Sequence, residues 1–487
     1  MSAELMKKEV VAELIHNKIV VTKTLLDELN NPDSLEKYYM KYCAKPRTEI
    51  KSETKVKIQE IEKPRQISGT SVKVVHHYET EEKKWLVKDF VSYLNTRFKS
   101  IEKMLYGRQD LTNLTSISRL KNVGERQTVS IIGMVVEKDL TKNDNFIFTV
   151  EDKTGVTKVL VSKNSEIYSL AKDIMLDEVI GITGSTGKDI IFSTRVIYPD
   201  IHLQDLKKCE DDVYAMVISD MHVGSMNFLP EKFEAFLEWI NGKSANPEQQ
   251  ELAAKVKYIF VVGDLIEGVG IYPKQEDELA IKDIYAQYKT AADYLKRIPQ
   301  DKQLIITPGN HEAVRLSEPQ PRFDKKFAAP LWEIKNAIIF ANPCTINIHS
   351  SETFSGFNVL IYHGYSYTYY SDNVDSIRMS GRNISDRTDL VMKYLLQRRH
   401  LAPSHGSNLY VPDPNKDALV IETVPDFFIS GHIHKIAMTH YRGVDIICGS
   451  CWQSASTFQE KMGHTPEPCK VPIINLKTRK ISILDFT

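Results

Sequence analysis

Residues 257–268 read KYIFVVGDLIEG, an apolar run that stops at Gly263 and Asp264, with Glu267 three positions on. A short run of Val, Ile and aromatic residues without polar alternation reads as a strand buried on both faces. The pattern recurs in VYAMVISDMHVG (213–224), QLIITPGNHE (303–312), FNVLIYHG (357–364) and DFFISGHIH (426–434). Open α/β sheets gather their ligand sites at the carboxyl ends of strands. The five strand ends therefore predict that Asp220, His222, Asp264, Asn310, His363, His432 and His434 reach one crevice.

Asp220 and His222 lie two residues apart, as do His432 and His434. On an extended strand end each pair projects to one side. Gly224, Gly263, Gly309, Gly364 and Gly431 stand beside these residues and permit sharp turns. Carboxylate, amide and imidazole donors without thiolate suit divalent cations. Mn²⁺ fits best, with Mg²⁺, Zn²⁺, Fe²⁺ and Ni²⁺ as alternatives. Seven donors exceed the need of one ion, so two are inferred. Two ions roughly 3.5–4 Å apart clamp the attacking and departing oxygens of a phosphoryl centre. A lone histidine is more often a satisfied or exposed residue than a ligand; the ordered set of five motifs carries the reading. Glu312 reads as a charge favourable at a helix N-terminus.

At 487 residues the chain is long enough for several domains. Its hydrophobic content of 42% and charged content of 26% are those of an ordinary globular protein. No apolar stretch is long enough to span a bilayer, and MSAELMKKEVVAELIHNK lacks a signal-peptide core, so no membrane association and a cytoplasmic location are expected. Six scattered cysteines exclude a disulfide scaffold, and the single CxxC, Cys448 and Cys451, reads as buried thiols. A net charge of −1 gives no global signature of a nucleic-acid binder, so any positive field is local or comes from a partner.

Five segments are expected. Residues 1–44 form a small helical module, with Val10, Leu14, Ile15, Ile19, Leu25 and Leu29 near the helical period. Residues 45–84 are charged and poor in aromatics, as in a flexible linker. Residues 85–120 return to a helical pattern with Trp85, Leu86, Phe90, Val91, Tyr93, Leu94, Phe98 and Ile101 as its apolar face. Residues 121–205 change to a period near two with glycine turns, which suggests an OB-type β-barrel. Phe146, Phe148 and Phe192 are assigned to its core, and docking is favoured over DNA binding. Residues 206–487 alternate buried strands with helices, an α/β domain.

The ordered set D-x-H, GD, GNHE, H and GHxH resembles the calcineurin-like metallophosphoesterase superfamily, with its mixed-sheet α/β sandwich. GDLIEGVGIYPKQE (263–276), LLQRRHLAPSHG (395–406), WQSASTFQEKMGHTPEP (452–468) and SISRLKNVGE (116–125) resemble, more narrowly, the small subunits of archaeal family D DNA polymerases. The similarity runs from about Trp85 to Thr487. It implies a multidomain α+β protein, an OB-type barrel followed by the phosphoesterase sandwich. It also implies a 3′→5′ exonuclease that proofreads for a separate large catalytic polymerase subunit, with a sliding clamp reached through the complex. Its DNA would be single-stranded or mismatched 3′ ends. No QxxLxxFF clamp peptide occurs, which argues against direct clamp contact by this chain.

Together the pattern and the geometry assign Asp220, His222, Asp264 and His434 to one ion, and Asp264, Asn310, His363 and His432 to the other. His311 is expected to protonate the leaving oxygen and Glu267 to orient it; the family usually has Asp at position 267. The stretch YSYTYYSDNVDSIRMSGRNISDR (365–387) reads as a surface loop that contacts terminal nucleotides, with Tyr365 and Tyr367 as stacking candidates and Arg398 and Arg399 as phosphate contacts. Two rival functions are a double-strand-break repair nuclease of the same superfamily and a structural subunit with a vestigial metal site. The first usually begins with its phosphoesterase domain, whereas here a barrel precedes it. Retention of all seven donors argues against the second.

Overall fold

The computed structural model describes residues 6, 7, 10, 29–42, 67–78, 83–455, 463 and 465–487, in two units, Met1–Lys63 and Pro64–Thr487. In the first unit the described residues include the helix Pro32–Tyr42. Most of the helical module expected over 1–44, and residues 45–66 and 79–82 of the expected linker, lie outside the described residues.

The far end of that linker is a strand rather than flexible chain. Strand β1 (Val72–His76) pairs antiparallel with Cys344–Ile348, and Val72 is buried between two sheets. The charged composition of the stretch concealed VKVVH, which needs only a free sheet edge to order it. The helix Val87–Tyr106 follows and buries Tyr93, Arg97, Phe98, Ile101 and Leu105, largely at a spacing of four. The N-terminal part of its expected apolar face is mostly solvent-facing: Leu86 and Val91 are exposed, whereas Phe98, Ile101 and Leu105 pack against the following barrel.

Strands β2 (Thr128–Leu140), β3 (Phe146–Asp152), β4 (Gly155–Val161), β5 (Val179–Gly187) and β6 (Ile190–Ile197) close into a barrel of order β2-β3-β4-β6-β5. All neighbours are antiparallel except β4 and β6. Ile131, Val135, Phe148, Val150, Ile182 and Ile191 fill it. Phe192, expected in this core, is 45% exposed: successive side chains of a strand alternate faces, and Ile191 takes the inward one.

Strands β7 (Tyr214–Ile218), β8 (Val256–Val262), β9 (Gln303–Thr307), β10 (Ala337–Ile339), β11 (Cys344–Ile348), β12 (Phe357–Ile361), β13 (Phe427–Ser430), β14 (Ala437–Tyr441), β15 (Val444–Cys448), β16 (Lys470–Asn475) and β17 (Ile481–Asp485) build two mixed sheets. Their orders are β10-β9-β8-β7-β16-β17 and β1-β11-β12-β13-β15-β14. The sheets face each other through Val217, Phe260, Val262 and Ile305 on one side and Ile346, Val359, Ile361 and Ile429 on the other. The helices Pro230–Ile240 and Ile284–Leu295 cover the outer face of the first sheet. Tyr367–Asn373 and Thr388–Arg398 cover the second. Each apolar run is thus buried on both faces, which is why it shows no alternation. Among the described residues no helix is long and apolar enough to cross a membrane.

Two buried ion pairs fasten the outlying elements to this sandwich. Arg97 Nε meets Asp417 Oδ2 at 2.7 Å, and His400 Nε2 meets the same oxygen at 2.9 Å. Arg398 Nε meets Glu178 Oε1 of the barrel at 3.2 Å, with its guanidinium over the rings of Tyr198 and Tyr394. Removing one member of such a pair costs about 3–5 kcal/mol, because the other charge is left buried.

Burial, with the Arg97 guanidinium, pushes His400 down to about 4 against the pull of Asp417. In the unfolded chain the ring titrates near about 6.5, so that state takes up the proton first as pH falls. The stabilisation is complete above about pH 6.5 and shrinks as pH drops toward 4. At about 1.36 kcal/mol per unit, the loss between pH 7 and 5 is about 2 kcal/mol. Urea unfolding in chelator at both pH values is expected to register it, and His400→Gln is expected to lose less by that amount. Equal pH sensitivity of the two chains would refute a neutral buried His400.

Candidate metal centre

Each of the seven donors sits two to four residues beyond the end of β7, β8, β9, β12 or β13. The backbone there is not extended, contrary to the reading of the D-x-H and H-x-H spacing. φ is +51° at Asp220 and His222, +50° at Asp264, +73° at His432 and +60° at His434. Non-glycine residues in this left-handed region cost about 1–3 kcal/mol each and persist only where their surroundings over-determine them. Here the loops after β7 and β8 continue to pair: Asp220 N–H donates to Gly263 O, His222 N–H to Asp264 O and Val223 N–H to Leu265 O, each at 3.0 Å. The glycines serve close approach. A Cβ on Gly309 would run into Asp264 and His363, and one on Gly431 into Asp220.

The donor atoms converge in adjoining groups, with Asp264 Oδ2 facing both His222 and His363. His222 Nε2 lies 3.0 Å from His434 Nε2, 4.0 Å from Asp220 Oδ1 and 3.8 Å from Asp264 Oδ2. His434 Nε2 is 3.4 Å from Asp220 Oδ1. Beside them, His363 Nε2 is 3.2 Å from Asp264 Oδ2 and 3.1 Å from Asn310 Oδ1, and His432 completes that group.

The outer contacts set the tautomers. His222 Nδ1 donates to Glu267 Oε2 at 2.8 Å, and His363 Nδ1 to the Val262 carbonyl at 3.0 Å. Each ring therefore turns its Nε2 inward. Imidazole nitrogens 3.0 Å apart repel unless a proton or a cation lies between them. Burial works to raise Asp264, yet the His363 and His311 imidazoles hold its carboxyl well below the usual range. Burial works to discharge His363, yet Asp264 lifts it to about 10. The two buried carboxylates thus demand positive charge, and the oxygen and nitrogen donors around them fit divalent cations.

His311 joins His222 and Asp264 in a third group. Its backbone N–H donates to Asp264 Oδ1 at 2.9 Å and its Nδ1 to the Glu267 carbonyl at 2.7 Å. The role expected for Glu267 is corrected in its atoms: its carbonyl orients His311, while its carboxylate holds His222. Glu312 is corrected as well. No helix starts there; its buried carboxylate accepts the backbone N–H groups of Asp264, Leu265 and Gly309. Sequence reasoning missed Tyr272 and Gln275, which bond Glu267; they stand in IYPKQE (271–276), two residues after GDLIEG, and that proximity was the available signal.

Three of the four expected DNA contacts are buried. Arg398 is committed to Glu178, Arg399 to the carbonyls of Ile421 and Glu422, and Tyr367 to Ser430. Tyr365 remains half-buried, 5.9 Å from the His432 ring. The stretch expected as a loop over 365–387 holds the helices Tyr367–Asn373 and Asp375–Arg378. Cys448 and Cys451 are free and buried.

Gly309→Ala is expected to displace Asp264 and His363 and to weaken Mn²⁺ binding at least tenfold in calorimetry, with overpacking costing about 1–3 kcal/mol of stability. Unchanged affinity would contradict the crowding at this point.

The calcineurin-like phosphoesterase family matches residues 214–436. The DNA polymerase II small subunit of Pyrococcus furiosus is 38% identical over 407 residues, 82% of this chain and 64% of that protein. The chain thus spans just under two thirds of that relative's length. The subunit of the same name from Archaeoglobus fulgidus is 38% identical over 388 residues, covering 80% of this chain and 75% of that protein. The one from Methanothermobacter thermautotrophicus is 36% identical over 401 residues, covering 82% and 79%. With that extent of identity, and with its donor cluster inside the matched phosphoesterase region, the chain belongs to the family of archaeal DNA polymerase II small subunits.

Proposed function

We propose that this chain is a two-metal 3′→5′ exonuclease that proofreads within a DNA-directed DNA polymerase complex, partnered with a large catalytic subunit. The observation that carries this reading is the convergence of seven oxygen and nitrogen donors from both sheets, with His311 beside them. Asp220, His222, Asp264 and His434 hold one cation, and Asp264, Asn310, His363 and His432 the other; Mn²⁺ suits the donor set best. When bound, the cations supply Lewis acidity for an in-line displacement at phosphorus.

The chain's own groups supply the rest. His311, fixed through Nδ1 by the Glu267 carbonyl, protonates the departing 3′ oxygen from Nε2. The Glu267 carboxylate fixes the tautomer of His222, and the Val262 carbonyl that of His363. Tyr365, beside His432, stacks on the terminal base. Single-stranded or mispaired ends are preferred because extracting a nucleotide from a matched duplex costs a few kcal/mol more. The closed five-stranded barrel, with its single parallel pair, supports an OB-type domain over 121–205, ahead of the phosphoesterase domain over 206–487. Its partner-facing role, any clamp contact through the complex, and a cytoplasmic location belong to the same proposal.

An end-labelled oligonucleotide assay with Mn²⁺ tests it. Degradation from the 3′ end is expected to stop with chelator and with Asp264→Ala. His311→Ala is expected to keep Mn²⁺ binding while kcat falls about 10²–10⁴-fold. Digestion unaffected by both substitutions would place the activity elsewhere.

A further inference from the structure

The strap from Gly268 to Asp283 begins directly after Glu267, in the segment that follows β8, and ends at the helix Ile284–Leu295. Its Gln275 is buried, 1% exposed, at the start of the short turn Gln275–Asp277. Gln275 Nε2 donates to both the carbonyl of Glu267, at 3.0 Å, and its Oε1, at 3.2 Å. Gln275 Oε1 accepts the Ile271 N–H at 2.9 Å, which ties that contact back to the strap. The Tyr272 hydroxyl reaches Glu267 Oε1 at 3.1 Å and also faces Glu278 Oε2 at 3.0 Å. At the strap's base, Gln287 clamps both backbone groups of Gly268.

Glu267 therefore has every polar group engaged. Its N–H donates to Val223 O, its carbonyl receives His311 and Gln275, one carboxylate oxygen receives His222, and the other receives Tyr272 and Gln275. A glutamate side chain has three rotatable bonds, and a single contact to His222 leaves rotations that move the imidazole with it. Gln275 donates to the second oxygen, and Tyr272 shares its one hydroxyl proton between that oxygen and Glu278 Oε2; together they restrict that freedom.

We propose that Tyr272 and Gln275 are positioning residues that act through Glu267, so that one strap sets both the metal-binding nitrogen of His222 and the ring of His311. The inference rests on the metal-centre reading above. It does not require the strap to touch nucleic acid. Outer contacts of this kind change metal affinity or activity by about 10–100-fold when removed.

The test uses the full 487-residue chain. Mn²⁺ affinity is measured by calorimetry without nucleic acid, beside kcat and KM on a labelled single-stranded oligonucleotide, for Tyr272→Phe, Gln275→Ala and, as an exposed control on the same strap, Glu276→Gln. Tyr272→Phe and Gln275→Ala are each expected to weaken Mn²⁺ binding about tenfold or more, to lower kcat at limiting Mn²⁺, and to leave KM within twofold. Added Mn²⁺ restores kcat, and Glu276→Gln matches the unsubstituted chain. Unchanged Mn²⁺ affinity in Tyr272→Phe and Gln275→Ala overturns the proposal, as does a raised KM at unchanged affinity, which would make the strap a substrate contact. If a thermal melt shows Gln275→Ala to be unfolded, Tyr272→Phe decides, since it deletes one oxygen. An unsubstituted chain that binds Mn²⁺ but cleaves nothing defeats the exonuclease reading alone, and the strap is judged on affinity. Absence of Mn²⁺ binding defeats both.

Discussion

Two carboxylates, Asp220 and Asp264, lie buried side by side where the strands of facing sheets end, and they cannot both stay ionised without positive charge between and around them. Much of the surrounding structure answers that constraint. His363 and His434 lie against the carboxylate oxygens, and the Val262 carbonyl, bonded to His363 Nδ1, fixes which nitrogen of that ring faces inward. Backbone N–H groups take up the oxygens left over: His311 bonds Asp264 and His432 bonds Asp220. The left-handed backbone at five donors is part of the same arrangement. Strain of that kind survives because the two sheets, each covered by helices, hold the strand ends rigidly.

The elements outside the sandwich are attached by a different device. Arg97 with Asp417, and Arg398 with Glu178, are charges held inside the protein, the first guanidinium over the Tyr93 ring and the second over Tyr198 and Tyr394. Such pairs contribute little net stability against an apolar alternative, but each tolerates only one partner and geometry. They fix where the helix Val87–Tyr106 and the barrel sit on the phosphoesterase domain. The stretch LLQRRHLAPSHG, which sequence alone suggests for phosphate contact, is a seam between domains: Arg398, Arg399 and His400 are all buried within it. A run of cations looks the same in sequence whether it faces solvent or a carboxylate from another domain.

What could be read from the sequence follows from local encoding. Unalternating apolar runs specify strands buried on both faces, and the residues that end them specify what reaches the edge; hence the sandwich, the barrel region and all seven donors were legible. Phe192 was misplaced because period two fixes that alternate residues share a face but not which face is inward. VKVVH was misread because its partner edge lies far along the chain, at Cys344–Ile348.

The sequence by itself determined the order of the strands and of the residues that end them and, through them, the family. Only the tertiary structure decided how the atoms are shared. It gave the Glu267 carboxylate to His222 and its carbonyl to His311, placed Tyr272 and Gln275 on the remaining oxygen, and paired Arg398 with a glutamate 220 residues away. Periodicity and turn chemistry act over a few neighbouring residues. The partner of a buried polar group is chosen by whatever the fold brings within hydrogen-bonding distance, and that choice is made only when the sheets close.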